Sequence, residues 1–296
     1  MHITITLPPS YRSADIVAFH RRDTECVAER VDGKRLRKGV MLGGVPVLID
    51  ITLEARRATC TITADGIVSP AAQQLANDAL LNMLGLRIDP APFLEAVRHD
   101  ALLGPLTRRQ GPLRIVQSAT VFEALTWAII GQQINLPFAI ALRRTFIEQA
   151  GQVHSSALWC YPEAPDVARL SADALTTRKF SRSKAETLLR VARLIDDGAL
   201  ELAPAGDVEA ISASLLAVKG IGPWTVNYAL LRGYGYADCS LHGDVAIRTA
   251  FQRLLGEDSK PDMPRTEQLL ARYRPHRTMA AAHLWASLNA GCAAND

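Results

Sequence analysis

Over the first ninety or so residues, polar and apolar side chains take turns. Ile3, Ile5 and Leu7 alternate with Thr4 and Thr6, and Val47, Ile49, Ile51 and Leu53 repeat the same period of two. That period turns one face of a strand to a core and the other to water. The stretch "ATCTITADG" (58–66) closes on Asp65-Gly66, a turn signal. The spacing then changes. Leu75, Leu80 and Leu84 fall close to one helical face across residues 71–86, and "IDPAP" (88–92) breaks the pattern, marking a lobe boundary.

From about Phe93 the periodicity is nearly all helical. "VFEALTWAIIGQQI" (121–134) reads as an almost wholly apolar helix ending in amides. "PFAIALRRTFIEQAG" (137–151) starts on a proline suited to a first turn and stops at Gly151. In "SKAETLLRVARLIDDG" (183–198), Ser183 and Glu186 have capping-box spacing, and Leu188, Val191, Ala192 and Ile195 form a stripe. Residues 208–218 and 278–289 complete the helical set. No low-complexity tract and no solenoid repeat interrupts the chain. The pattern predicts an α+β fold: a β-rich lobe with helices, followed by a larger helical body.

Composition narrows the function without naming it. At 296 residues, two or three lobes are expected. The 48% apolar content suits sizeable cores, and a formal charge of +3 permits a polyanionic partner without requiring one. Cys26, Cys60, Cys160, Cys239 and Cys292 are odd in number and widely spaced, which removes the usual support for zinc or iron–sulfur ligation. A reducing, cytoplasmic setting follows. The opening "MHITITLPPS" lacks the form of a signal peptide, and no apolar run is long enough for a membrane span.

The most informative stretch is "LLAVKGIGPWTVNYALL" (215–231), two helical runs joined by Lys219-Gly220-Ile221-Gly222. The glycines permit positive φ and expose amides, and Pro223 suits the first position of the second helix. A helix start of this kind grips a phosphate, although a plain helix–helix turn has the same outline. Trp224 and Tyr228 share a helical face, either as core or as a stacking platform, and Trp285 in the last helix is open to both roles. Asp244 precedes the helix that ends near Gly256. From this stretch alone it reads first as an N-cap; the same physics would also hold an ionised carboxylate placed to steady a cation or activate water.

Together these residues resemble the helix-hairpin-helix (HhH-GPD) DNA glycosylase superfamily, in particular 3-methyladenine DNA glycosylase II of the AlkA type. The resemblance rests on "GIGPWTVNY" followed about twenty residues later by Asp244, with "AIIGQQI" (128–134), "FSRSKAETL" (180–188) and "YRPHRTMAAAHLW" (273–285) in family order. It covers almost the whole chain and implies three lobes: a β-rich domain at 1–88, a central helical domain at 119–236 with the hairpin at about 208–233, and a second helical domain from 89–118 plus 237–296. The active-site cleft would lie between the two helical domains. Asp244 matches the catalytic residue, and Trp224, Tyr228 and Trp285 match the base pocket. Lys219, Gly220, Ile221, Gly222 and Thr225, with Arg182, match the DNA contact, and Gln133 stands where relatives insert a side chain into the duplex. Gly243 stands where some relatives carry a second acid. The hairpin carbonyls would hold a monovalent cation, Na+ or K+; no metal bound by side chains and no required cofactor are implied.

Bifunctional relatives carry a lysine two residues beyond the second glycine, and Trp224 stands there instead. Without an amine for a Schiff base, the resemblance implies a monofunctional hydrolase that leaves an abasic site. Its substrates would be alkylated purines of the 3-methyladenine and 7-methylguanine type in double-stranded DNA. It would act as a monomer, without an obligate protein partner or a membrane. The alternative is a DNA-binding protein that keeps the hairpin and performs no chemistry. Two basic runs, Arg178-Lys179 with Arg182 and Lys184, and Lys34 to Lys38, are read as phosphate contacts or solvated surface.

Overall fold

The computed structural model describes residues 1–202 and 206–289, so Cys292 lies outside the described residues. The first lobe comprises β1 (His2–Thr6), α1 (Ser13–His20), β2 (Glu29–Asp32), β3 (Arg35–Leu42), β4 (Val45–Leu53), β5 (Arg57–Ala64) and α2 (Pro70–Met83). There follow α3 (Ala91–Ala96), α4 (Leu103–Gln110), α5 (Val121–Gly131) and α6 (Leu136–Ala150). A two-residue strand, β6 (Cys160–Tyr161), leads to α7 (Ala164–Ala168), α8 (Ala172–Thr176), α9 (Arg182–Asp196), α10 (Val208–Leu216) and α11 (Pro223–Ala229). A π-helical turn, Leu230–Tyr234, prolongs α11. The chain closes with α12 (Val245–Leu255), α13 (Met263–Ala271) and α14 (Arg277–Asn289). Among the described residues, no helix is long and apolar enough to cross a membrane.

The sheet runs β1-β5-β4-β3-β2 with antiparallel neighbours, as the alternation predicts. Val47, Ile49, Ile51 and Leu53 turn inward and meet Ala76, Ala79 and Leu80 of α2 in one apolar cluster. Among the described residues, the helical stretch after Phe93 is broken by an isolated antiparallel bridge between Val153 and Trp159 and by β6. β6 joins the sheet parallel to β3, pairing Cys160 with Gly39. A Cβ on Gly39 would lie 2.3 Å from the Trp159 carbonyl oxygen, so only glycine admits this strand.

Lys38 overturns the surface reading of the first basic run. It is 1% exposed, and its Nζ donates to Glu29 Oε1 (2.5 Å) and Glu123 Oε1 (2.7 Å). Arg143 of α6 donates to the same two oxygens at 2.9 and 2.8 Å. Burial alone would raise both carboxyls, but Lys38 and Arg143 outweigh it and hold them below the usual carboxylate range. Two cations thus balance two anions across the junction between the sheet and α5–α6. Arg35 and Arg37 in the same run pair with Asp50 and Asp32 across the sheet.

The expected capping box at Ser183 and Glu186 is displaced. Ser181 caps α9, its Oγ accepting from Lys184 N at 3.3 Å, and Ser183 lies inside the first turn. Phe180 before the cap and Ala185 are both buried. This apolar staple selects the earlier of the two serines.

Candidate active site

The hairpin turns between α10 and α11. Gly220 takes φ +99°, and a Cβ there would meet Thr187 Oγ1 at 2.2 Å, so both the backbone and α9 demand glycine. Gly222 departs from the positive-φ expectation. It is the N-cap of α11 at φ −110°, and what its missing side chain provides is open space above the helix start. Pro223 takes the first helical position.

Asp244 caps α12. Its Oδ1 accepts from the amides of Ala246 (2.9 Å) and Ile247 (3.1 Å), which fulfils the N-cap reading. The same carboxylate also accepts from two indoles, Trp224 Nε1 to Oδ2 at 3.0 Å and Trp285 Nε1 to Oδ1 at 3.3 Å. One carboxylate therefore serves as the helix cap and as the acceptor of both indoles. The segment before it is pinned from two sides: Ser240 N donates to Asn227 Oδ1 of α11, and Cys239 N to Thr278 Oγ1 of α14. Those bonds fix the carboxylate relative to both tryptophans.

The aromatics form a half-buried wall. Trp224 and Tyr228 lie with centroids 5.2 Å apart, and Tyr228 and Trp285 at 6.4 Å, all tilted rather than parallel. Trp285 lies beside Tyr228 and also packs against the helical core, so both of its roles stay open. Three residues that the sequence did not single out complete the surroundings. Trp127 of α5 donates to the Tyr228 hydroxyl at 3.0 Å. Arg232 places its guanidinium carbon 5.9 Å from the Tyr228 centroid and 5.7 Å from Trp285. Arg22, from the first lobe, stacks at 3.6 Å on Phe19 and lies 5.6 Å from Trp127. Burial, reinforced by Arg232 and Arg143, lowers the Arg22 guanidinium to about 10. A guanidinium distant in sequence carries no local signal of this neighbourhood.

The remaining candidates separate by exposure. Gln133 is exposed at the tip after α5 with φ +56°, and Lys219 and Gly220 are exposed beside it on the hairpin. Gln132 ties the two together, its Nε2 donating to Gly220 O (3.1 Å) and Thr225 Oγ1 (2.9 Å). Thr225 is therefore corrected: 2% exposed and engaged by Gln132, its side chain braces the loop rather than facing outward. Ile221 is likewise buried, its amide donating to Val218 O at 3.0 Å. Arg182 is exposed and pairs with Glu186 at 3.1 Å, whereas Lys184 is buried and leaves the second basic run. Among the described residues, no group of three His, Cys, Asp or Glu could hold a metal ion.

Residues 126–275 match the family model of the HhH-GPD superfamily base excision DNA repair proteins. The chain belongs to the HhH-GPD superfamily. The hairpin, Trp127, Trp224, Tyr228 and Asp244 all fall inside the matched segment, and Trp285 lies just beyond it. The DNA-3-methyladenine glycosylase of Bacillus subtilis (strain 168) is 26% identical over 293 residues, covering 96% of each chain. Among solved structures, the 3-methyladenine DNA glycosylase from Archaeoglobus fulgidus superposes with a TM-score of 0.81 at 21% identity, covering 96% of this chain and 97% of that one. A 3-methyladenine DNA glycosylase of Schizosaccharomyces pombe in complex with abasic DNA matches at TM-score 0.58 and 21% identity, over 66% of this chain and 95% of its own. In this HhH-GPD chain the similarity to the Archaeoglobus fold includes the β-rich lobe.

Proposed function

We propose that this protein is a monofunctional DNA glycosylase of base excision repair. It flips alkylated purines out of duplex DNA and hydrolyses their N-glycosidic bond. The observation that carries the reading is the carboxylate of Asp244, held between the indole N–H groups of Trp224 and Trp285 at the head of α12. Oδ1 accepts three hydrogen bonds and Oδ2 one, so Oδ2 keeps the free lone pair. That oxygen faces the sugar in this reading. It steadies the oxocarbenium-like cation formed as the base leaves and orients the attacking water.

Extruding the base costs a few kcal/mol, least for a damaged pair. Gln133 entering the vacated stack and the hairpin amides on a backbone phosphate offset that cost. A purine alkylated at N3 or N7 is cationic, and an aromatic face attracts it by roughly 0.5–2 kcal/mol. The same base leaves neutral, so it needs no general acid, and weak bonds are selected by the chemistry. The cleft between the two helical domains, 119–236 on one side and 89–118 with 237–296 on the other, holds the base. Trp224 occupies the position of the lyase lysine, so borohydride should trap no covalent complex with damaged DNA. At the turn, the Lys219 and Gly220 carbonyls already accept from Arg190 and Gln132. Val218 O likewise accepts from Ile221 N, so a sodium or potassium ion would fall to the remaining backbone oxygens of residues 216–221, hard donors that suit it. When bound, it adds positive charge facing the phosphate. The enzyme acts as a monomer, in the cytoplasm.

The test is base release from methylated duplex DNA, with the freed bases identified by mass spectrometry. Release of 3-methyladenine and 7-methylguanine from an uncut strand is expected. No released base from any alkylated duplex, with DNA binding intact, would leave only a DNA-binding protein.

A further inference from the structure

The buried ammonium of Lys184 has no part in the mechanism above, yet it is bound to the segment that carries Gln133. It is 8% exposed, and Nζ donates to Ile130 O at 2.6 Å and Gln132 O at 3.0 Å. Both acceptors are carbonyls at the C-terminal end of α5, where a cation meets the negative end of the helix dipole. We infer that Lys184 is a positioning residue for base flipping, which fixes the Gln132–Gln133 backbone so that Gln133 projects into the duplex. This inference rests on the glycosylase reading and assigns a further residue to it.

Gln133 holds φ +56° while exposed, a conformation that costs a non-glycine residue about 1–2 kcal/mol. Such backbone persists only where its surroundings over-determine it. Here the loop is bracketed. From one side Lys184 grips the carbonyls of Ile130 and Gln132, and from the other the Gln132 side chain is anchored on Gly220 O and Thr225 Oγ1. Beside the bracket lies a hollow of about 350 Å³, lined by Gln132, Gln133, Lys179, Ser181, Ser183 and Lys184 and by the apolar Ile134, Phe138 and Leu142. Among the described residues no side chain fills that space, so without the ammonium the loop is free to relax into it. Burial lowers the Lys184 pKa, which is consistent with an amine committed to carbonyl acceptors rather than to solvent.

A residue that acts through Gln133 matters only where a gap must be filled. The experiment compares single-turnover release of 7-methylguanine from a duplex and from the same oligonucleotide single-stranded, for wild type, Lys184→Met, Gln133→Ala and the double variant. Lys184→Met should slow the duplex reaction about 10–100-fold, the scale of a roughly 1 Å misplacement. Single-strand release should stay within about threefold, and Lys184→Met should add nothing in the Gln133→Ala background. The duplex to single-strand ratio is internal to each preparation, so partial misfolding scales both rates and cancels. Lys184→Gln, which drops the charge and keeps one donor toward Ile130 O, should slow the duplex reaction less than Lys184→Met does, with single-strand release again within about threefold, and it carries the test should the methionine variant not fold. Equal slowing on both substrates, an unchanged duplex rate, or additivity with Gln133→Ala would overturn the proposal. Wild-type protein silent on both substrates would overturn the glycosylase reading, and this proposal with it.

Discussion

Replacing Asp244 with asparagine changes one atom and one charge, and the geometry says what each is worth. Oδ1 must remain an oxygen, because the amides of Ala246 and Ile247 and the Trp285 indole all donate to it. The amide NH2 therefore takes the place of Oδ2, 3.0 Å from Trp224 Nε1, and two donors face each other. That mismatch costs about 1–3 kcal/mol, and the lost charge at the α12 start about 0.3–1 kcal/mol more. For a chain of this size the melting temperature should fall by roughly 3–15 °C, leaving the variant folded at 25 °C. The catalytic loss is larger in consequence. A carboxylate about 4 Å from a sugar cation, at an effective dielectric near 20, contributes about 4 kcal/mol, or roughly a thousandfold in rate. The assay is single-turnover release of 7-methylguanine, run beside a melt and a binding titration on duplex containing an abasic analogue. A rate within about tenfold of wild type, or a rate loss matched by equal loss of DNA binding, would refute the assignment.

Other outcomes follow from the same coordinates. Lys38→Met strands Glu29 and Glu123 in the junction and should cost about 3–5 kcal/mol in denaturant unfolding, because a broken buried network leaves uncompensated charge. His283 is stacked on Phe93, and burial with Arg12 nearby depresses it to about 4. Its folded pKa lies below the unfolded value of about 6.5, so stability should drop by up to about 3 kcal/mol as pH falls from about 6.5 to 4. His283→Gln should flatten that slope, and the depressed Glu29 and Glu123 should add a further loss below about pH 4.5. Arg232→Met removes a positive charge from beside Tyr228 and Trp285. At about 7 Å that charge opposes a cationic base by roughly 0.6–2.4 kcal/mol, so release of 7-methylguanine relative to neutral hypoxanthine should rise about 3–50-fold. An unchanged ratio would count against a charge role.

The sequence carried the site where the signal was local. Alternation marked β4, the four-residue spacing put Trp224 beside Tyr228, and a carboxylate before an apolar helix marked Asp244 as a cap. Some of what escaped was visible in phase. Lys38 alternates with Leu36 and Val40 and so belongs to the inward face of β3, and Lys184 sits four residues before Leu188 on the buried stripe of α9. Their place in basic runs points outward instead, so local composition hides what the periodicity carries. Their partners explain the rest. Glu123 is 85 residues from Lys38, and Ile130 is 54 from Lys184, distances at which charge pairing leaves no pattern in the chain. Arg22, Trp127 and Arg232 escaped for the same reason, since only the fold brings three separate segments to one wall.

These long-range partners converge on α5. Near its start, Glu123 is locked into the ionic junction with Lys38 and Arg143. One turn on, Trp127 holds the Tyr228 hydroxyl, and at its end the carbonyls of Ile130 and Gln132 rest on Lys184. From Val121 to Ile130 every residue is buried, so the helix is a rod about 16 Å long clamped at both ends. A buried ion network tolerates little displacement, because moving one partner exposes another to an uncompensated charge. The sheet lobe therefore does more than enlarge the core: through Glu29 and Lys38 it fixes the helix that joins the aromatic cluster to the Gln133 turn. If that helix is rigid, Lys38→Met should lower duplex base release more than its loss of folded protein accounts for. If the lobes act independently, activity per folded molecule should remain at the wild-type value.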